Sequence, residues 1–268
     1  MATISAPLWK KAARYLRRQF VTEAQDNHES GERSVKWPWL PIRCVLTHNQ
    51  FGMYCVPELA AHRPAAQAIL THRVWEPDTI DFMRRHCADG DIVHAGTFFG
   101  DFLPALSRAL SPGAMVMAFE PVAENHQCAK VTVSLNALSN VSLTHAGLGA
   151  ALVSMKMKTR DNRGRSLGGG STIVSADSTE GDQDVVIIRI DDSMRPDRRI
   201  SIIQLDVEGH EKAALEGALQ TIGRWLPILI LEKLPGSNLT SDEWFEEMIL
   251  RLGYKPRGKL HENEVFAV

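Results

Sequence analysis

No run of apolar residues approaches the ~20 that a membrane span requires, so a transmembrane protein is not expected. The four cysteines, Cys44, Cys55, Cys87 and Cys128, form no CxxC pair and no zinc-like cluster with histidine. They are expected as reduced thiols of a cytoplasmic protein. Basic residues near the start are followed by no apolar stretch or small-residue cleavage site, so no secretory signal is expected. Neither sign of charge dominates. Thirty Lys and Arg face 32 Asp and Glu, a net charge of -2, which gives no global pull towards nucleic acid. The GxGxxG loop of dinucleotide binders is missing, and no internal repeat is present.

What the 268 residues do contain suits one large domain with an addition. Residues 1–75 read as an N-terminal helical or irregular extension or cap, and residues 76–268 as the main domain. The extension holds Trp9, Trp37, Trp39 and Trp75. Leu8, Ala12, Leu16 and Phe20 recur every four residues, with Lys10, Lys11, Arg14, Arg17 and Arg18 between them. That spacing predicts an amphipathic helix, suited to packing on its own domain, on a second subunit in a homo-oligomer, or on an anionic membrane surface.

From Asp91 onward, strands alternate with helices. Strands are expected at Ile92–Ala95, Ala114–Phe119, Val141–His145, Val185–Ile190, Ile200–Val207 and Ile228–Leu231. Helices are expected at Phe102–Leu110, Pro121–Leu138, Glu208–Ile222 and Ser241–Leu252, the last opened by Thr240 or Ser241 and closed by Gly253. The tail from Tyr254 reads as a terminal hairpin. This alternation predicts an α/β fold with a mostly parallel, doubly wound sheet and an antiparallel hairpin at its C-terminal edge. The polar segment from Arg160 to Ser171, with Gly164, Gly168, Gly169 and Gly170, is either a solvent loop or a lid over a ligand.

In an open α/β sheet, ligands bind beyond the carboxyl ends of the strands. The residues there are therefore the candidates. After the first strand comes His94-Ala95-Gly96-Thr97-Phe98-Phe99-Gly100-Asp101. Its glycines would permit close backbone approach and tight helix packing, or would only shape a turn. After the second comes Glu120-Pro121, an acid placed to accept hydrogen bonds from ribose hydroxyls, or a solvated residue that caps the next helix. After the third comes Gly147, which borders a ligand plane or a plain turn. The densest cluster is Asp206-Val207-Glu208-Gly209-His210-Glu211. Charges crowded at a buried strand end are costly unless exposed, paired or used. Glu208 and Glu211 can cap a helix instead. His210 can be a base, a substrate ligand or a surface residue. Asp206, Glu208 and His210 lack a strong metal-ligand pattern, and no metal is assigned. Glu232 ends the next strand at the same rim.

These residues resemble the FkbM family of methyltransferases over about Asp91 to Glu232. The segment Ala118-Phe119-Glu120-Pro121 with Asn125, the stretch Gln204-Leu205-Asp206-Val207-Glu208-Gly209-His210-Glu211, Gly217, the Asp191-Asp192 pair and Glu232 carry the likeness. The resemblance implies a Rossmann-like class I methyltransferase fold, bound S-adenosylmethionine, and transfer to a hydroxyl of a sugar or secondary-metabolite-type small molecule. It carries the cofactor role to Gly96, Gly100 and Glu120 and a site role to Asp206 and Glu208; His94, Ala95, Thr97, Asp101, Pro121, Gly147 and Asp206 are further candidates for cofactor contact from their places at the strand ends. Asp206, Glu208, His210 and Glu232 are the candidates for catalysis. The sequence departs from the family at His94, where an Asp that helps hold the cofactor's amino group is usual. That departure keeps a non-catalytic protein on the same fold as an alternative, beside a nicotinamide-dependent one.

Overall fold

The computed structural model describes residues 42–175 and 178–268. The amphipathic helix expected around residues 8–20 lies outside them. In chain order the elements are β1 (Cys44–Asn49), β2 (Gly52–Pro57), α1 (Pro64–Leu70), α2 (Pro77–His86), β3 (Asp91–Ala95), α3 (Leu103–Ala109), β4 (Val116–Phe119), α4 (Ala123–Leu135), β5 (Val141–Thr144), β6 (Gly147–Leu148), β7 (Val153–Lys158), β8 (Thr172–Val174), β9 (Gln183–Ile188), α5 (Ile190–Ser193), β10 (Ile200–Leu205), α6 (Glu211–Glu216), α7 (Leu219–Trp225), β11 (Ile228–Glu232), α8 (Glu243–Met248), β12 (Lys255–Leu260) and β13 (Asn263–Ala267).

Seven strands form the central sheet in the order β12-β13-β11-β10-β3-β4-β5. The pairs from β11 through β5 are parallel, and β13 pairs antiparallel with both β11 and β12. Counted along the chain, the sheet reads 3-2-1-4-5-7-6 with the seventh strand reversed, the class I methyltransferase arrangement. The chain builds β3, β4 and β5 towards one edge, then returns to place β10 on the other side of β3. That reversal is the topological switch point.

Burial explains why the middle strands are mostly apolar. Every residue of β3 and of β10 is buried, as expected where helices cover both faces of a parallel sheet. The few polar residues in these strands are paired. His94 sits opposite Gln204 in register, and their side chains hydrogen-bond at 2.5 Å. At the far end of β3, Arg198 donates twice to the Asp91 carboxylate at 2.6 Å and once to the Gly113 carbonyl. Asp91 also accepts from Met115 N–H at 2.8 Å. This bidentate pair ties the β3 edge to the turn before β10 and to the turn before β4.

The structure departs from the sequence reading in several places. Residues 44–57 are not helical or irregular but an antiparallel hairpin. Val45, Leu46 and Thr47 face Val56, Cys55 and Tyr54 across it, a β-branched and aromatic set suited to pleated packing. Tyr54, Cys55 and Val56 pack with Phe98, Phe99, Cys128 and Val131, so this part of the extension shares a core with α4. The stretch 208–222 is two helices rather than one. The break falls at Gly217, where any Cβ would overlap the Gly149 carbonyl oxygen. Asp191 then caps α7 from outside the helix, accepting from Thr221 N–H and Oγ1 at 2.8 Å. The cap of α8 is Asp242, which accepts from Trp244 N–H, not Thr240 or Ser241. Strand β9 belongs to a separate four-stranded sheet, β6-β9-β7-β8, whose strands β7 and β8 the sequence reading passed over.

Replacing Arg198 with Met should strand Asp91 as an unpaired charge with its side chain only 4% exposed. We expect a loss of about 3 kcal/mol of unfolding free energy, measured by urea denaturation. A change below about 0.5 kcal/mol would show that the pair does not secure this edge.

Candidate active site

Beyond the carboxyl ends of β3 and β10, the backbone runs unusually close. Leu205 pairs with Ala95, and Asp206 N–H still donates to the Ala95 carbonyl at 3.2 Å. The next residue of the first strand is Gly96, with φ +82°. A Cβ built there would overlap the Asp206 carbonyl oxygen. Only glycine permits both the left-handed backbone and this approach.

Two cavities open at this point. The smaller, about 430 Å³, is lined by Ala95, Gly96, Phe119, Leu148, Met157 and Ile173 among others, with Glu120, Pro121 and Gly147 at its side. The larger, about 1020 Å³ and open to solvent, carries Trp75, Glu76, His94, Asp101, Glu232 and Asn263. Gly96, Gly169, Asp206 and Glu208 line both. The cavities therefore meet at the switch point.

Glu120 is an organiser of the smaller cavity. Its carboxylate accepts from Phe98 N–H at 2.7 Å, Val122 N–H at 2.8 Å and Asn125 Nδ2 at 3.3 Å. It therefore holds the glycine loop against the start of α4. Three donors use three of about four lone-pair sites, leaving capacity for a further hydroxyl. Burial pushes its pKa up to about 8 in spite of those donors.

The larger cleft is acidic. The Asp206, Glu208 and Glu232 carboxylates have oxygens within 4.8 Å of one another, a spacing that could also hold a cation. Burial raises all three, with repulsion from neighbouring carboxylates adding to the effect and Arg63 opposing it at Glu208, and Glu232 reaches about 7. Burial also lifts Asp101 to about 7. His94 goes the other way. Burial lowers it to about 4, so it is neutral, and its ring stacks on Phe102 at 5.2 Å. Four non-glycine residues on this cleft have left-handed backbones, Glu76, Phe98, Glu208 and His261, at φ +46°, +50°, +53° and +53°. Such strain concentrates at working sites.

The structure brings together most of the residues singled out in the sequence. Gly96, Glu120 and Asp206 all line the smaller cavity, with Ala95, Pro121 and Gly147. His94, Asp101, Glu208 and Glu232 line the larger. Others stand apart. Thr97 donates to the His94 carbonyl, and Gly100 packs against Leu103 and Thr132. Neither lines a cavity. His210 lies beside Gly149 at the start of α6, away from both cavities, so a direct role as base or as ligand with Asp206 and Glu208 has no geometric support. Glu211 caps its own turn, accepting from Val207 and Gly209 N–H. The glycine-rich segment is a folded cover. Its 3-10 turn Gly168–Gly170 lies against Phe98, and Asn125 donates to the Gly168 carbonyl at 3.2 Å. Sequence reasoning missed Glu76, Glu262 and Asn263, which no motif marks. Gln204 was within reach, since aligning β3 with β10 puts it opposite His94.

These shifts set a pH dependence. Glu120, Asp101 and Glu232 hold protons in the folded state at pH values where the unfolded chain has lost them. Stability therefore falls as pH rises from about 5 through 8. Neutral His94 resists protonation when folded, so stability also falls as pH drops from about 6.5 to 4. The three acids outweigh the single histidine, so the Tm of the ligand-free protein should fall from about pH 5 to 8, and Glu232→Gln should flatten that slope. A Tm that rises from about pH 6 to 8 would contradict the burial of these acids.

The methyltransferase FkbM domain model matches residues 92–256. Comparison with curated proteins gives no match. Among solved structures, a methyltransferase FkbM from Methylobacillus flagellatus KT is 18% identical with a TM-score of 0.49, over 68% of this chain and 44% of its own. The chain thus spans under half the length of that structure. A SAM-dependent methyltransferase from Aquifex aeolicus is 15% identical with a TM-score of 0.39, over 72% and 89% of the two chains. A Pyrococcus abyssi tRNA (uracil-54, C5)-methyltransferase in complex with S-adenosyl-L-homocysteine is 11% identical with a TM-score of 0.41, over 81% and 41%. Because the family model runs over more than half of the sequence, with its segment holding β3 to β11 and the whole lining of the smaller cavity, this chain belongs to the FkbM methyltransferase domain family.

Proposed function

We propose that the protein is an S-adenosylmethionine-dependent O-methyltransferase that acts on a hydroxyl of a sugar or secondary-metabolite-type small molecule. The observation that carries this reading is the meeting of two unlike cavities at Gly96 and Asp206. An apolar slot walled by Phe119, Leu148, Met157 and Ile173 suits a purine, and the oriented Glu120 carboxylate at its side suits a ribose. A sulfonium fits the junction, where Asp206 and Glu208 supply negative charge. The larger cleft then receives the acceptor. The residues present therefore fit the cofactor that the family implies.

When bound, S-adenosylmethionine supplies a methyl group already activated by its positive sulfur. The protein must align the acceptor hydroxyl, keep water away and take one proton. The folded Gly168–Gly170 cover and Phe98 shield the junction. Asp206 and Glu232 are the proposed proton acceptors. Glu232, at about 7, is matched to work near neutrality. Glu208, in a left-handed turn, has a carboxylate oxygen within 4.8 Å of those of Asp206 and Glu232.

Calorimetry with S-adenosylhomocysteine and with NAD tests the reading. We expect binding of the first and none of the second; NAD binding alone would overturn it. Glu120→Gln should weaken S-adenosylhomocysteine up to about 10-fold, the worth of a hydrogen bond lost with the ribose. In a methyl-transfer assay over a panel of hydroxylated acceptors, Glu232→Gln should lower kcat about 10²- to 10⁴-fold while S-adenosylhomocysteine affinity changes little. A Glu232→Gln enzyme with full kcat would remove Glu232 as the base.

A further inference from the structure

Among the described residues, four buried side-chain atoms have no hydrogen-bond partner: His94 Nε2, His126 Nδ1, Glu232 Oε2 and Asn263 Oδ1. Three of these four residues line the larger cleft. His94 is 2% exposed and Asn263 1%, so water reaches neither freely. All three atoms are acceptors. Asn263, which lines the cleft, spends its Nδ2 on Glu76 Oε2 at 2.9 Å and leaves its carbonyl oxygen without a partner. His94 directs Nδ1 at Gln204 Oε1, so Nδ1 carries the hydrogen and Nε2 is a bare lone pair. Unpaired buried acceptors are costly, and their concentration in one cavity marks a place built for donors.

Charge points the same way. Six carboxylates line the cleft, from Glu76, Asp101, Asp206, Glu208, Glu232 and Glu262, against one guanidinium, Arg63, and the His261 imidazole, 3.6 Å from Glu76. Asp206 and Glu208 stand at the junction, where the sulfonium would meet them. Glu76, Glu232, Glu262 and Asn263 border the larger cleft alone and have no part in the adenosyl slot. Burial and crowding hold protons on several of these acids in the empty site, and a cation beside Glu76, Glu232 and Glu262 would let them ionise where the sulfonium does not reach. We propose that the acceptor carries a protonated amine beside its hydroxyl, received by Glu76, Glu232, Glu262 and the Asn263 carbonyl oxygen, with the edge of Trp75 as an apolar wall. This rests on the assignment of the smaller cavity to the adenosyl group and names the class of acceptor for the remaining one. A neutral polyol would leave the carboxylates uncompensated, and an acidic acceptor would be repelled.

The test uses the full chain saturated with S-adenosylhomocysteine. Failure to saturate would defeat the methyltransferase reading itself, before any acceptor is added. On the saturated protein, glucosamine, N-acetylglucosamine and glucuronate are compared by calorimetry or ligand-observed NMR, since they differ in charge on a similar ring. Glucosamine should bind at least about tenfold more tightly than N-acetylglucosamine, with glucuronate weakest, and added salt should narrow the gap. Exposed Glu262 offers a variant that does not threaten the fold. Glu262→Lys should weaken glucosamine about tenfold and leave N-acetylglucosamine unchanged, while Arg63→Gln should strengthen glucosamine. Equal affinity for the amine and its acetylated form, or glucosamine binding indifferent to Glu262→Lys, would overturn the proposal.

Discussion

The space in which a side chain at position 96 would begin is filled by the carbonyl oxygen of Asp206. This contact between two strand tips organises the rest of the site. It draws the ends of β3 and β10 together where the sheet changes direction, and so fixes where a ligand can enter. Glu120 reinforces it from the next strand by gripping the Phe98 amide of the same loop. The loop thus has little freedom of its own. It is held by backbone on one side and by a buried carboxylate on the other.

The electrostatic character of the two cavities follows from what each strand tip contributes. The tip of β4 provides a single acid, oriented by three amide donors. The tips of β10 and β11 provide three acids whose oxygens crowd one another. Crowding and burial keep protons on these groups to higher pH than usual, so the empty site is stabilised by holding protons and disfavoured by losing them. A positively charged ligand relieves the same repulsion. Cost in the empty protein and attraction for a cation are two faces of one arrangement.

Much of the fold was legible in the sequence because the central strands are continuous apolar runs closed by charged or glycine-containing tips. Gly96, Glu120 and Asp206 could be assigned to one site from their places at strand ends alone. The terminal hairpin was equally visible. Other features depend on partners distant in sequence. The break at Gly217 is set by the Gly149 carbonyl and by Asp191, neither of which periodicity registers. The hairpin of β1 and β2 competes with a helical reading in a segment dense in tryptophan and proline. Asn263 and Glu76 join the cleft only because β13 pairs beside β11 and a hydrogen bond ties the two residues together. His210, adjacent in sequence to the acidic cluster, turns away because the left-handed turn at Glu208 and Gly209 redirects the chain.

The lining of the smaller cavity falls wholly within residues 95–208, inside the segment that matches the family. The larger cleft also draws on Arg63, Trp75, Glu76, His261, Glu262 and Asn263, which lie before or after that segment. Divergence can therefore proceed unevenly. Substitutions before or after the matched segment can reshape the larger cleft while the smaller cavity, whose walls all lie inside it, keeps its lining.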